Sequence, residues 1–219
     1  MEHHLQDTIA LLSRTPTALR ALLLDLPNSW IGQNEGQGTW SVYGVLGHLI
    51  HGELTDWIPR AKRILQYGRT KAFDPFDRLA QERESSGKSF RVLMEEFSRL
   101  RLQNLNELNS MKLASSDLEK QGFHPSLGIV TLSQLLATWA AHDLTHLHQI
   151  SRIMAHQYRE AVGPWSSYLG VMHCEGKRQI NRTPTKSPTQ RECWLNQAKR
   201  PDSKSSNDSL GMLQGKRNR

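Results

Sequence analysis

Residues 137–152, ATWAAHDLTHLHQISR, place two histidines four positions apart inside an apolar segment. An α-helix turns about 100° per residue, so His142 and His146 lie about 40° apart, and Gln149 falls about 20° to the other side of His142. Histidines at this spacing can chelate one metal ion, and burying two imidazoles without partners is costly. The pattern is consistent with a metal site and equally with two histidines of the surface or the core that bind no metal. Gln149 would either orient water or substrate or partner a buried polar group.

Two histidines make an incomplete site, so a third ligand is expected from another segment. The stretch VLGHLIHGEL offers His48 and His51, which lie about 60° apart on a helix. The glycines beside them let another helix or a ligand approach closely; they are Gly44, Gly47 and Gly52. Three histidine nitrogens suit Zn²⁺, and also Ni²⁺, Co²⁺ or Fe²⁺, and leave a position for water or substrate. The residue types alone leave His48 and His51 both open.

Four helical segments carry these residues, because apolar positions recur three and four apart over residues 4–26, 39–65, 89–111 and 131–158. Pro16 predicts either a kinked first helix or two short ones, and Pro59 predicts a bend late in the second. The connections over 27–38, 66–88 and 113–130 are expected to be irregular, with a helical turn as an alternative for part of the last. The sequence therefore predicts an all-α fold, a four-helix bundle. Its long loops suggest a long crossover connection as readily as up-and-down order.

The positive charge lies at one end of the chain. Of 28 Lys and Arg and 21 Asp and Glu in the 219 residues, 17 of each lie in residues 1–173, which leaves 11 basic and 4 acidic residues in 174–219. The charge distribution predicts a neutral domain over 1–173, so charge gives no reason to expect that this domain binds nucleic acid. The segment 174–219, poor in apolar residues, is expected to be disordered. It is interpreted as a weak anion-binding arm, a dispensable extension or the product of an altered reading frame.

The chain carries no features of a secreted or membrane protein. Its first residues lack a basic segment followed by an apolar one, and no run approaches the roughly 20 apolar residues of a membrane span. Cys174 and Cys193 both lie late in the chain, which does not suggest a disulfide framework. A cytoplasmic protein of bacterial type is the expectation.

Four stretches together resemble one known family: TWSVYGVLGHLIHGELTDW, DPFDRLAQ, GFHPSLGIVTLSQLLATWAAHDLTHLHQISR and VGPWSSYL. They are similar in order and spacing to the DinB-like superfamily, which includes the bacillithiol and mycothiol transferases. The likeness covers about residues 5–170. It implies a four-helix bundle with a divalent metal, commonly zinc or nickel, held by His48, His142 and His146. It therefore favours His48 over His51 as the third ligand.

The resemblance also implies an activity. Several family members are thiol S-transferases, in which the metal is expected to hold a low-molecular-weight thiol cosubstrate as the nucleophilic thiolate. We therefore expect a metal-dependent enzyme that acts on a small-molecule substrate, with thiol transfer as the first reading. Hydrolysis by water that the ion activates is the second. A non-catalytic metal- or ligand-binding stress-response module is the third. Family members often dimerise, so a homodimer is an expectation without an assigned surface.

Other polar residues carry weaker expectations. Asp143 lies about 100° from His142, so it is expected to hold a residue such as Arg152 or a loop N–H rather than the same ion. Arg60 and Glu53 are expected to form a salt bridge within the bundle. His124, before Pro125, is either a turn residue or a side chain that reaches the mouth of the pocket. The tryptophans are expected to anchor the core; they are Trp40, Trp57, Trp139 and Trp165.

Overall fold

The computed structural model describes residues 3–77 and 79–174, and within them the chain forms nine α-helices, one two-stranded sheet and three short 3-10 helices. The α-helices are α1 (Leu5–Leu12), α2 (Thr15–Leu23), α3 (Asn28–Gly32), α4 (Val42–Thr55), α5 (Trp57–Tyr67), α6 (Ala80–Ser85), α7 (Phe90–Ser110), α8 (Ser115–Leu118) and α9 (Leu132–His156). The strands are β1 (Gln121–His124) and β2 (Gly128–Thr131). The 3-10 helices are Gly68–Thr70, Gly163–Tyr168 and Gly170–Met172. Residues 175–219 lie outside the described residues, so the predicted disorder there and the domain boundary at 173 stay predictions.

Four helical rods form a bundle, as the sequence predicts: α1 with α2, α4 with α5, α7, and α9. The first rod packs mainly against α7 and α9, and so does the second. Rods that follow each other along the chain, the first and second or α7 and α9, therefore occupy diagonal corners of the bundle. The connections over residues 24–41 and 111–131 must cross between those corners. This arrangement confirms the crossover connections and excludes plain up-and-down order for the described chain.

A proline lies near the interruption of each of the two broken rods, but the bend that the sequence predicts at Pro59 is at the wrong residue. The first rod consists of two helices, with Pro16 in the opening turn of α2. The second rod is broken at Asp56, between α4 and α5, and not at Pro59. Pro59 lies in the first turn of α5, where the backbone N–H groups have no partner inside the helix and proline is tolerated.

Side-chain caps fix where the long helices begin. The Ser41 hydroxyl accepts a hydrogen bond from the Gly44 N–H at 3.2 Å, so α4 begins at the next residue. Thr131 and Gln134 form a reciprocal capping box at the start of α9, with hydrogen bonds of 2.9 and 3.1 Å. Each such cap satisfies backbone donors that the first turn leaves without partners. The caps therefore set the register of the two helices that carry the histidines.

Two connections predicted to be irregular contain regular structure. The segment 66–88 includes α6, and the segment before α9 folds into an antiparallel hairpin in which Gln121 pairs with Thr131. The hairpin lies on α5 because position 122 is glycine: a Cβ there would be 2.7 Å from the Ile64 side chain. The strands are four residues each, too short for an alternating pattern to be read from sequence.

Apolar side chains from all four rods fill the bundle in two clusters. Trp57 and Trp139 are buried and stack nearly parallel, with ring centroids 5.7 Å apart, as expected for core anchors. Trp40 is only partly buried, and Trp165 is 72% exposed, so the core role predicted for Trp165 is wrong. In the described residues, no helix combines the length and apolarity needed to cross a membrane.

Candidate metal centre

Three imidazoles from two rods meet between the helices. His48 comes from α4, and His142 and His146 come from successive turns of α9. The His142 Nε2 atom lies 3.1 Å from the Nε2 atoms of both His48 and His146. One ring nitrogen from each residue lies within 4.8 Å of the others. The predicted trio is thus brought together, with its Nε2 atoms directed at a common point.

Two glutamine side chains orient the outer pair of imidazoles. The Nδ1 atom of His48 lies 3.1 Å from Oε1 of Gln81 on α6, and the Nδ1 atom of His146 lies 2.8 Å from Oε1 of Gln149 on α9. An amide oxygen only accepts hydrogen bonds, so each ring carries its proton on Nδ1. The Nε2 lone pairs of both rings therefore point toward His142. Such outer partners fix the tautomer of a metal-ligating histidine.

The protonation of the cluster suits a cation at its centre. Burial, the largest cause, together with the neighbouring His146, His48 and Arg101, lowers the pKa of His142 to about 2. Burial also lowers the pKa of His146, against the opposing hydrogen bond to Gln149 and the charge of Asp143. Both rings are therefore neutral near pH 7 and do not need to lose a proton before they bind a metal.

The spacing of the nitrogens fits a shared ion. A neutral His142 can offer one N–H at Nε2, which cannot fully satisfy two lone pairs, each 3.1 Å away. Two nitrogens about 2.0–2.1 Å from one ion lie about 2.9 Å apart at a right angle and about 3.3 Å apart at the tetrahedral angle. The observed 3.1 Å falls between these values. A divalent cation would accept all three lone pairs, so the donor set fits a metal such as zinc.

A glycine permits the contact that supplies Gln81. A Cβ at Gly47 would lie 2.5 Å from the Ser85 hydroxyl oxygen, so α6 approaches α4 so closely that any larger residue would displace the Ser85 side chain. The close approach predicted for the glycines in this segment is confirmed at Gly47. It brings Gln81 to His48 and also brings Glu84 to the neighbouring histidine of the same helix.

That neighbouring histidine, His51, lies outside the cluster. Its Nδ1 atom is 3.0 Å from Glu84 Oε2, so its nearest polar partner is a carboxylate from α6. His148 is exposed, as its position on the helix predicts. The structure therefore groups His48, and not His51, with the histidine pair of α9.

A buried charged network lies beside the centre. The guanidinium of Arg101, on α7, is 1% exposed and lies between the carboxylates of Glu53 and Asp143, with shortest distances of 2.8 and 2.6 Å. Arg101 Nη1 also donates to the Leu12 backbone oxygen at 2.9 Å. Trp139 Nε1 donates to Glu53 at 3.1 Å. The network connects all four rods around Asp143, the residue that follows His142 in the chain.

Two expected ion pairs are therefore wrong. Asp143 pairs with Arg101, while Arg152 pairs with Glu35 through hydrogen bonds of 2.6 and 2.7 Å. Arg60 does not pair with Glu53, since it lies 2.7 Å from Asp56, four residues before it at the break between α4 and α5. The errors share a cause: helical spacing places residues on a face but does not identify which residue of another rod meets them.

The histidine cluster opens into a cavity of about 780 Å³. Its walls combine the three histidines with aromatic side chains and with residues of the hairpin. The aromatic residues are Trp40, Trp57, Phe73 and Phe76. His124 also lines the cavity, which matches the reading that it reaches the mouth of the pocket. A cavity of this size accommodates a small organic molecule.

Sequence reasoning missed two residues of the site. Gln81 was overlooked because its segment lacked a helical pattern long enough to reveal α6. Arg101 could have been found, because it is a lone cation on the apolar face of α7 between Phe97 and Leu105, each four residues away. Gln149 contacts the outer nitrogen of His146, so its predicted action on water or substrate stays a prediction.

Comparisons with known proteins agree with this fold. Residues 11–150 match the model of the DinB superfamily. Among solved structures, the chain resembles YfiT from Bacillus subtilis, described as a probable metal-dependent hydrolase with an unusual four-helix bundle topology. That likeness has a TM-score of 0.61 at 21% identity and covers 74% of this chain and 90% of YfiT, so it is a likeness of fold. No curated protein matches the chain at a significant level.

Proposed function

Because the chain belongs to the DinB superfamily, we propose that it is a metal-dependent enzyme in which His48, His142 and His146 hold a divalent ion, zinc or nickel, that activates a low-molecular-weight thiol. The observation that carries the proposal is the convergence of three imidazoles on a cavity of about 780 Å³, with the His142 Nε2 atom 3.1 Å from the Nε2 atoms of both His48 and His146. Three protein ligands leave a coordination position for a reactant, as in catalytic rather than structural sites.

A divalent ion in this position supplies Lewis acidity, which lowers the pKa of a coordinated thiol or water toward neutral pH. The chain's own residues prepare that position. Gln81 and Gln149 hold two rings in the ligand tautomer, and Trp57 packs against His142 with ring centroids 5.1 Å apart. The aromatic walls limit water beside the reactants, which strengthens electrostatic interactions there.

In thiol transfer, the sulfur attacks an electrophilic carbon of the small-molecule substrate. A sulfur–carbon bond forms as the bond from that carbon to its leaving group breaks, and the thiol proton passes to solvent. The cavity holds both reactants because it extends from the histidines to the hairpin. Positioning of the two reactants in one cavity is a recognised source of rate acceleration.

Hydrolysis is the second candidate, and two observations favour it. YfiT, similar in fold, is described as a probable metal-dependent hydrolase. In addition, the Asp56 carboxyl lines the same cavity, and burial raises its pKa despite the opposing charges of Arg60 and His51. A carboxylate whose pKa lies closer to neutral pH is better suited to accept a proton from an attacking water.

A thiol-dependence screen on the full-length chain separates these functions. Zinc- and nickel-loaded protein is mixed with 1-chloro-2,4-dinitrobenzene and either glutathione, bacillithiol or mycothiol, and arylated thiol is measured. We expect turnover with at least one thiol, lost in His142→Ala and kept in the matched variant His51→Ala. Ester turnover without thiol, with the same dependence on His142, supports hydrolysis instead. Neither activity in metal-loaded protein supports a non-catalytic binding module and contradicts the proposed enzyme.

A further inference from the structure

We propose that Arg60 and His124 form a carboxylate-binding subsite at the hairpin side of the cavity, so that the substrate is an amphipathic molecule with one anionic end. This inference rests on the proposed function, because it names the class of molecule that the metal centre would act on. It is carried by the contacts of these two side chains with Phe73, Asp56 and the hairpin.

Arg60 is held in place with part of its hydrogen-bonding edge still open. Its Nη2 atom lies 2.7 Å from Asp56 Oδ1 in an ion pair and donates to the Asp74 backbone oxygen at 3.5 Å. Its guanidinium carbon lies 5.2 Å from the centroid of the Phe73 ring. Among the described residues, the Nε and Nη1 atoms have no hydrogen-bond partner. Adjacent N–H groups of a guanidinium bind a carboxylate in a two-point arrangement.

His124 supplies a second donor beside the same ring. Its Nδ1 atom accepts hydrogen bonds from the backbone N–H groups of Ser126 and Leu127 at 3.1 and 3.2 Å. The ring proton therefore lies on Nε2, which has no hydrogen-bond partner among the described residues. His124 meets Phe73 edge to face with centroids 6.0 Å apart. Phe73 is thus contacted by both donors, and both line the cavity.

The charge of the subsite suits a monoanion rather than a phosphate dianion. Arg60 carries one positive charge, and Asp56 already offsets it at 2.7 Å. The carboxylate of Asp74, which also lines the cavity, pairs with Arg63. His124 adds a neutral donor, since burial and the nearby Arg60 lower its pKa. One carboxylate is therefore the anion that this donor set can accept without further cations.

The subsite lies along the cavity from the metal centre. Trp57 contacts His142, and Arg60 follows one turn later on α5, about 4.5 Å further along the helix axis. Apolar residues such as Phe76 and Leu135 line the cavity with them. A substrate with its reactive group at the histidines would therefore have its apolar part against these walls and its carboxylate at Arg60.

The test compares an acid with its alcohol analogue on zinc-loaded, full-length protein. Binding of 4-phenylbutanoate and of 4-phenylbutan-1-ol is followed by ligand-detected nuclear magnetic resonance titration. We expect the acid to bind about 10-fold more tightly, because charge-assisted hydrogen bonds are stronger than neutral ones. Arg60→Gln should remove this preference, and Arg60→Lys should restore part of it. Lys62→Gln, an exposed cation on the same helix, should leave it intact.

Equal affinity for the acid and the alcohol in the wild-type chain would overturn the subsite. A preference that persists in Arg60→Gln would also overturn it, because the carboxylate would then be bound elsewhere, for instance by the metal. The proposed function is tested separately, by the visible absorption of cobalt-loaded protein as 6-mercaptohexanol is added. An unchanged cobalt spectrum together with an Arg60-dependent acid preference would reject the thiol function and retain the subsite.

Discussion

Replacing Arg101 with methionine should destabilise the fold strongly, although the substitution preserves much of the side-chain volume. Among the described residues, the Arg101 guanidinium donates both hydrogen bonds that the buried Asp143 carboxylate accepts, at 2.6 and 2.9 Å. Glu53 would keep donors from Trp139 and Asn104, at 3.1 and 2.9 Å. The main loss is thus an uncompensated buried charge at Asp143. Removing one partner of a buried pair costs about 3–5 kcal/mol.

The assay is urea denaturation of metal-free protein, so that metal binding does not contribute to the measured free energy of unfolding. Arg99→Met is the matched control, because Arg99 is exposed on the same helix and should lose less than about 0.5 kcal/mol. A deficit of Arg101→Met below about 1 kcal/mol would contradict this prediction.

Two further substitutions test the support of the metal centre. Gln81→Leu removes the oxygen that accepts a hydrogen bond from His48 Nδ1 at 3.1 Å. The zinc affinity, measured by chelator competition, should therefore fall about 10- to 100-fold. An unchanged affinity would show that the Gln81 amide does not orient the His48 ring. Gly47→Ala places a Cβ 2.5 Å from the Ser85 hydroxyl and should lower the free energy of unfolding, measured by thermal denaturation, by about 1–3 kcal/mol. Gly44→Ala is the control, because its Cβ would meet the nearest atom at 3.4 Å, and it should lower that free energy by less. Equal losses in the two variants would contradict the close approach at Gly47.

The bundle could be predicted because the sequence patterns that indicate its helices are local and repeated along the chain. Apolar periodicity marked the rods, and α4, α7 and α9 each begin after a serine or threonine, the residue types that cap helices, at Ser41, Ser89 and Thr131. The histidine pair of α9 needed only the helical repeat. The choice of His48 over His51 needed the resemblance to a family, since both lie on one helix and the residues alone do not say which faces α9.

The parts that sequence did not predict depend on contacts between distant segments. Gln81 reaches His48 only because α6 packs on Gly47, and a helix of six residues has too few turns to show a periodic pattern. Arg101 meets carboxylates that are 48 and 42 positions away in the chain. The hairpin that presents His124 follows from turn geometry and from packing on α5. Pairings of this kind are set by the topology of the bundle rather than by local composition.

The most direct test of the metal centre is the metal content of the full-length chain, measured by inductively coupled plasma mass spectrometry after zinc loading and gel filtration. We expect about one zinc ion per chain in the wild type and in His51→Ala, and a loss of that ion in His48→Ala and in His142→Ala. Zinc retained at the wild-type level in both cluster variants, or absent from the wild type itself, would contradict this expectation.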